Sequence, residues 1–176
     1  MKKIAYILTT YPCLSETFIH QEITQLKRQG FKITVFASAG KAGESVPIQD
    51  LCVYYRPCLF SASAVWSIIC VTLRHPVRLV KLAVLMVRLL IICPKDAETI
   101  FVNLHTICFF TRTAKKQHSE HIHACFLSRP ACIGLGVSTL TGLPLSISAH
   151  ARDIFVEGGA VGLKAQKSGF ISCCTR

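Results

Sequence analysis

The chain has 176 residues, 51% of them hydrophobic and 16% charged, with a mean hydropathy of +0.46. That length suits one domain, or at most two small ones, with a core that needs no staples, and the composition excludes a collagen, a coiled coil and a disordered tail. Twenty Lys and Arg against nine Asp and Glu leave a net charge of +11, which attracts phosphate, anionic lipid or nucleic acid and is neutral on fold.

In chain order, the apolar run Ile4 to Thr9 reads as a buried strand closed by the loop Thr10-Tyr11-Pro12-Cys13-Leu14. A helix follows. Ser15 is its expected cap, Ile19, Ile23 and Leu26 form the apolar stripe, and Lys27-Arg28 followed by Gly30 close it. Phe31 to Ala37 is the next strand, so residues 4–37 make one strand-helix-strand unit with a parallel crossover. After a loop over residues 38–50 comes a short strand at Cys52 to Tyr55, then a helical middle from Ser61 to His118 in three stretches broken at His75-Pro76 and Pro94-Lys95-Asp96. His121 to Phe126 and Leu143 to Ala149 read as strands flanking a helix over Pro130 to Thr141. A short helical turn from Asp153 is broken at Gly158-Gly159, and a last strand runs from Gly169 to Thr175. The whole is an α/β fold: a Rossmann-like parallel sheet with helices on both faces and an extra helical stretch in the middle.

Ten cysteines would make a disulfide scaffold in a secreted chain. Met1-Lys2-Lys3 precedes an apolar run too short for a signal sequence and without a small-residue cleavage site, so the chain reads as cytoplasmic and its thiols as reduced. No CxxC pair occurs, and Cys70, Cys93, Cys108 and Cys132 lie in apolar stretches where buried, unpaired thiols are expected.

Several groups of residues could carry chemistry. The loop Thr9 to Ser15 leads into a helix N-terminus, whose free amides receive an anion or a sugar hydroxyl. Gly134 and Gly136 fall inside a helical pattern and read as helix-to-sheet packing. His121, His123 and Cys125 alternate along one strand face, which fits a sheet-end binding surface or, with a fourth ligand that the sequence does not identify, a zinc site. His150 follows an apolar strand in Ser148-Ala149-His150-Ala151-Arg152-Asp153, so the sheet delivers it to the carboxyl edge. There it reads either as a substrate contact, with Asp153 capping the following turn and Arg152 facing phosphate, or as a surface histidine next to a capped helix. Arg74, Arg78, Lys81 and Arg88 have spacings of a basic stripe on an apolar helix, an amphipathic pattern rather than a membrane span.

Tyr11-Pro12-Cys13-Leu14-Ser15-Glu16-Thr17-Phe18-Ile19-His20-Gln21-Glu22-Ile23 resembles the aromatic-Pro-x-x-Ser-Glu-Thr-Phe-Ile-x-x-Glu-Ile opening of family 4 glycosyltransferases of the exopolysaccharide and colanic-acid type. His121 to Phe126 is similar to that family's His-x-His-Ala-His-Phe, with Cys125 in place of the third histidine. Ala149 to Ile154 is similar to its Ala-His-Ala-x-Asp-Ile.

The resemblance implies the N-terminal, acceptor-side half of a GT-B fold, with residues 1–176 as a single truncated domain and the C-terminal nucleotide-sugar domain absent. No two glutamates stand at the spacing of the family's donor-site pair. It further implies a retaining hexosyltransferase whose catalytic contact is His150, with Ser15, Glu16, Thr17, His123, Arg152 and Asp153 binding substrate. No metal or cofactor is expected on this half; the nucleotide sugar is the full enzyme's donor substrate. The expected partners are a glycan or polyprenol-linked acceptor, a C-terminal domain on a separate chain, and an anionic membrane surface met by Arg74, Arg78, Lys81 and Arg88. Nucleic acid is not expected as a partner, and the place of action is peripheral at the inner face of the cell membrane. The alternative from another class is a non-enzymatic basic protein that binds the membrane surface through amphipathic helices.

Overall fold

The computed structural model describes residues 2–13, 16–40, 51–155 and 159–173. Its strands are β1 (Lys3–Thr10), β2 (Lys32–Ala39), β3 (Cys52–Tyr55), β4 (His121–Ala124), β5 (Leu145–Ala149) and β6 (Phe170–Cys173). They pair in parallel in the order β3-β2-β1-β4-β5-β6. The chain therefore builds outward from β1 on one side and then from β4 on the other. This strand order is that of a Rossmann-like α/β sheet, and the reversal between β1 and β4 opens a crevice at their carboxyl ends.

The helices are α1 (Thr17–Arg28), α2 (Ala62–Arg74), α3 (Pro76–Ile92), α4 (Pro94–Val102), α5 (Leu104–Lys116), α6 (Arg129–Thr141), α7 (Ala151–Phe155) and α8 (Val161–Lys167). They divide unevenly between the two faces of the sheet. On one face, α1 sets Ile19 and Ile23 against Tyr6, Leu8, Ile33 and Val35. On the other, α5 and α6 bury Ala5, Ile7, Phe36, Ile122, Ala124 and Ile147 in the larger core, where Phe110 meets Phe36 at 4.9 Å between ring centroids. Two glycines let α6 come close: a Cβ on Gly136 would stand 2.7 Å from Ile107 of α5, and one on Gly134 would stand 3.1 Å from Leu145. Beyond this layer, α2 packs on α5, and α3 packs on α4 and α6, so α2 to α4 form an outer layer.

Three expectations shift. The helical middle contains four helices, because the turn at Asn103 separates α4 from α5. The Asn103 amide donates to the Thr99 carbonyl at 2.7 Å, the local side-chain bond by which Asn competes with a continuing helix. The chain also carries α8, which the turn signals around Gly159 and Gly169 obscured. Cys108 and Cys132 are buried as expected, but Cys70, on the solvent-facing outer helix α2, and Cys93, in the turn between α3 and α4 beside the cleft, are only partly so.

Phe110 is fully buried and Phe101 is 67% exposed, although both are aromatic residues of the same helical middle. Phe110→Ala is expected to cost about 3–5 kcal/mol in urea unfolding, and Phe101→Ala about 0.5 kcal/mol or less. Equal costs would contradict the two-layer arrangement.

Candidate functional site

A cleft of about 690 Å³ opens at the carboxyl ends of β1, β4 and β5. Thr9 and Thr10 close one side, Glu16 stands at the start of α1, Lys95 and Asp96 at the start of α4, and Ser128 and Arg129 at the start of α6. Arg152 and Asp153 of α7 complete it. Three helices of nine residues or more thus point their free amides and positive dipole ends toward one space. The lining alternates carboxylates, cations and hydroxyls around Phe126, a surface suited to a polyhydroxylated ligand carrying negative charge.

Two buried carboxylates hold the rim. Asp153 Oδ2 accepts from the Leu127 amide at 3.3 Å and from the His150 amide at 3.2 Å, tying the turn after β4 to the turn after β5. Asp96 accepts from the Ala160 amide at 2.8 Å and from the Cys132 thiol at 3.3 Å, and pairs with Lys164 at 2.9 Å. Lys164, 1% exposed, also donates to the Leu127 carbonyl at 2.8 Å. Burial alone would push the Asp96 carboxyl up, but the Ala160 amide and the Lys164 ammonium outweigh it and hold it below the ordinary aspartate value. Beside it, burial drives the Cys132 thiol up to about 12, which keeps it a protonated donor.

His150 stands next to the cleft rather than in its lining. Its ring packs against Phe18 at 5.0 Å and Phe126 at 5.1 Å, and its Nε2 is buried with no hydrogen-bond partner among the described residues. A buried imidazole nitrogen left unpaired costs free energy that a ligand hydroxyl would recover. Burial raises the Glu16 carboxyl, and His150 partly opposes that shift.

The histidines of β4 lie mid-sheet. Ser146 Oγ bonds His121 Nε2 at 2.7 Å and His123 Nδ1 at 2.8 Å, while Ser148 Oγ meets His123 Nε2 at 3.1 Å. The run is satisfiable in either direction, with Ser146 donating to one imidazole and accepting from the other. Burial lowers His123, Glu22 opposes the shift, and the neutral ring that results makes the 4.0 Å approach to Glu22 a contact between a neutral group and a carboxylate. Glu22 instead accepts from the Tyr6 hydroxyl at 2.7 Å. Cys125 is buried in the cluster under α1, and among the described residues no group of three His, Cys, Asp or Glu converges as a metal site.

Of the expected site residues, Glu16, Arg152 and Asp153 line the cleft, His150 adjoins it, Thr17 is exposed at the first position of α1, and His123 is buried away from it. Ser15 lies outside the described residues; Glu16 occupies the position before the helix and makes no capping bond with its side chain. The basic stripe is divided. Arg74 ends α2, and Arg78 turns inward to donate to the Leu140 carbonyl at 3.0 Å, which leaves Lys81 and Arg88 as the cations on the outer flank of α3. Lys95, Asp96 and Arg129 are additions that local pattern did not single out, although Pro94-Lys95-Asp96 marked the helix start that brings two of them there.

No protein-family model matches the sequence, and no curated protein matches it. Among solved structures, the chain is similar to the crystal structure of phenylacrylic acid decarboxylase from Aquifex aeolicus, with a TM-score of 0.46 and 12% identity over 99% of this chain and 82% of that one. It is also similar to apo UGT2 of Phytolacca americana, with a TM-score of 0.46 and 10% identity over 88% of this chain and 30% of that one.

Because its folded pKa is depressed, the stability contributed by Asp96 is complete above the unfolded aspartate value of about 3.9 and disappears as pH falls through the folded value. Asp96→Asn should cost about 3–5 kcal/mol at neutral pH by leaving Lys164 buried and unpaired, and should lose less further stability on acidification than the wild type. Urea midpoints at neutral and acid pH check both. Asp153→Ala strands two buried amides and should cost about 2–4 kcal/mol, with hydrogen exchange accelerating at Leu127 and His150; unchanged exchange there would remove Asp153 from its tying role.

Proposed function

We propose that this chain is the acceptor-binding half of a glycosyltransferase, transferring a sugar from a nucleotide sugar to a glycan or polyprenol-linked precursor, as its three motifs resemble. The observation that carries this reading is the convergence at one sheet edge of Glu16, just before α1, and Phe18 of α1 with His150, Arg152 and Asp153, residues about 130 apart in sequence. In this role the cleft's hydroxyls and carboxylates order acceptor hydroxyls, and Arg129 and Arg152 balance phosphate charge. His150 Nε2 takes a sugar hydroxyl once the Phe18 ring moves aside. His123 acts as a positioning residue: Ser148, which it bonds, lies near the end of β5, two residues before His150, which follows the strand. The donor nucleotide would be held by a second domain facing this edge, where stabilisation of the departing phosphate supplies most of the rate. A non-enzymatic role remains the rival class.

Saturation-transfer difference spectra of the chain with oligosaccharides and with nucleotide sugars test the reading. Oligosaccharide signals are expected, and His150→Ala should weaken them about tenfold, the loss of roughly one hydrogen bond to a ligand, with circular dichroism confirming that the variant stays folded after losing its packing on Phe18 and Phe126. An absence of signal from every sugar, or binding indifferent to His150, would overturn the proposal.

A further inference from the structure

The outer helices present apolar side chains that none of the described residues covers. On α3, Val80, Val84, Val87 and Ile91 recur at spacings of four, three and four and are 50–80% exposed, while Leu82, Leu85 and Leu89 on the opposite side are buried. On α2, Val65, Trp66, Ile69 and Leu73 are exposed as well, and α4 adds Phe101 and Val102. Exposed apolar side chains in such number, aligned as a stripe on α3, mark an interaction site rather than ordinary scatter.

The charge around it is predominantly positive, with Glu98 of α4 as the one exposed carboxylate between Leu51 and His118 among the described residues. From Leu51 to His118 the only carboxylates are Asp96 and Glu98, against nine Lys and Arg, and Asp96 is consumed by Lys164. A groove of about 530 Å³ runs along the flank of α3 against α6, with an apolar floor that includes Leu85, Leu135 and Leu143. Lys81, Arg88 and Lys167 rim it, and no carboxylate lines it. Long cationic side chains beside an apolar ridge are built to place their stems in hydrocarbon and their heads at phosphate. No helix among the described residues is long and apolar enough to cross a membrane, so the arrangement is that of a surface lying in the interface.

We propose that α2, α3 and α4 seat the protein on a bilayer bearing anionic headgroups, with the ridge Val80-Val84-Val87-Ile91 in the acyl boundary and Lys81, Arg88 and Lys167 on lipid phosphates. The inference goes beyond the sugar-transfer reading and stands independently of it. It also reassigns the work: the apolar ridge enters the membrane, Lys81 and Arg88 flank it, and Arg78 is engaged inside the fold.

Trp66 is the single tryptophan of the chain and stands on α2, one of the three helices of the proposed surface, 54% exposed. Its emission is therefore a label-free reporter. The full chain is titrated with vesicles of phosphatidylcholine alone and of phosphatidylcholine mixed with phosphatidylglycerol, at low and high salt, with co-sedimentation in parallel. A blue shift and binding to the mixed vesicles are expected, weakened by salt and by roughly fivefold for each of Lys81→Ala and Arg88→Ala. Val84→Glu with Val87→Glu should reduce binding about tenfold or more, circular dichroism confirming the fold; the cation variants carry the test if that pair does not fold. Binding to neither vesicle, or equal binding to both, overturns the proposal. So does self-association in ultracentrifugation that the glutamate pair disperses without vesicle binding, because a second copy then covers the face. Vesicle binding in the absence of any sugar binding would sustain this proposal and defeat the transferase reading.

Discussion

The rim of the cleft depends on how one peptide segment is gripped. Leu127, just after β4, gives its amide to Asp153 and its carbonyl to Lys164, and Lys164 is held in turn by Asp96. Four segments distant in sequence, at residues 96, 127, 153 and 164, are thereby joined through two buried carboxylates and one buried ammonium. A desolvated charge is tolerated only when its partners are complete, and here they are supplied by backbone as well as side chains. This makes the node intolerant of alternatives: any other register of α4, α7 or α8 would leave a charge unpaired in the interior. The β4–α6 turn, with Ser128 and Arg129, inherits its position from that constraint.

The sheet itself is asymmetric, and the asymmetry separates two jobs. Beneath α5 and α6 the strands are apolar and close-packed, with glycines drawing α6 down onto Ile107 and Leu145. On the face that α1 shares, the register aligns Tyr6, His123, Ser146 and Phe170 across four strands, so two polar side chains stand between two aromatic ones. A serine between two imidazoles is an unusual core device. It satisfies both rings without a charge, and it fixes their orientation at the cost of a run in which every member needs its neighbour.

Much of the fold was legible because the signals were local. The strand-helix-strand unit over residues 4–37, the proline-opened helix at Pro130 and the apolar strand before His150 each carry their own period and punctuation, and the parallel order follows from alternation. What stayed hidden depends on tertiary partners. The bend at Asn103 is made by a side-chain bond to Thr99, and α8 is a seven-residue helix whose Lys164 is buried against Asp96, the reverse of what a lysine signals in a sequence. The site shows the same division. His150, Arg152 and Asp153 could be placed at a strand end by counting, whereas Lys95 and Asp96 reach the cleft only because the chain folds its helical middle back over α6. For His123 the spacing located the strand face correctly but carried no information on Ser146 and Ser148, which close over it.

The helical middle is what distinguishes this molecule from a bare nucleotide-type sheet, and α4 shows what the insertion accomplishes. Its nine residues span about 13 Å at the α-helical rise. Within that length Asp96 enters the buried ion pair at the cleft, while Phe101 and Val102 emerge on the outer apolar layer. One rigid element therefore connects the binding rim to the exposed face, and the distance between them is set by helix geometry rather than by a loop. A surface that holds a bilayer through α2 and α3 would accordingly present the cleft at a fixed height and orientation. The height of the cleft above such a surface is thus a property of the length of α4.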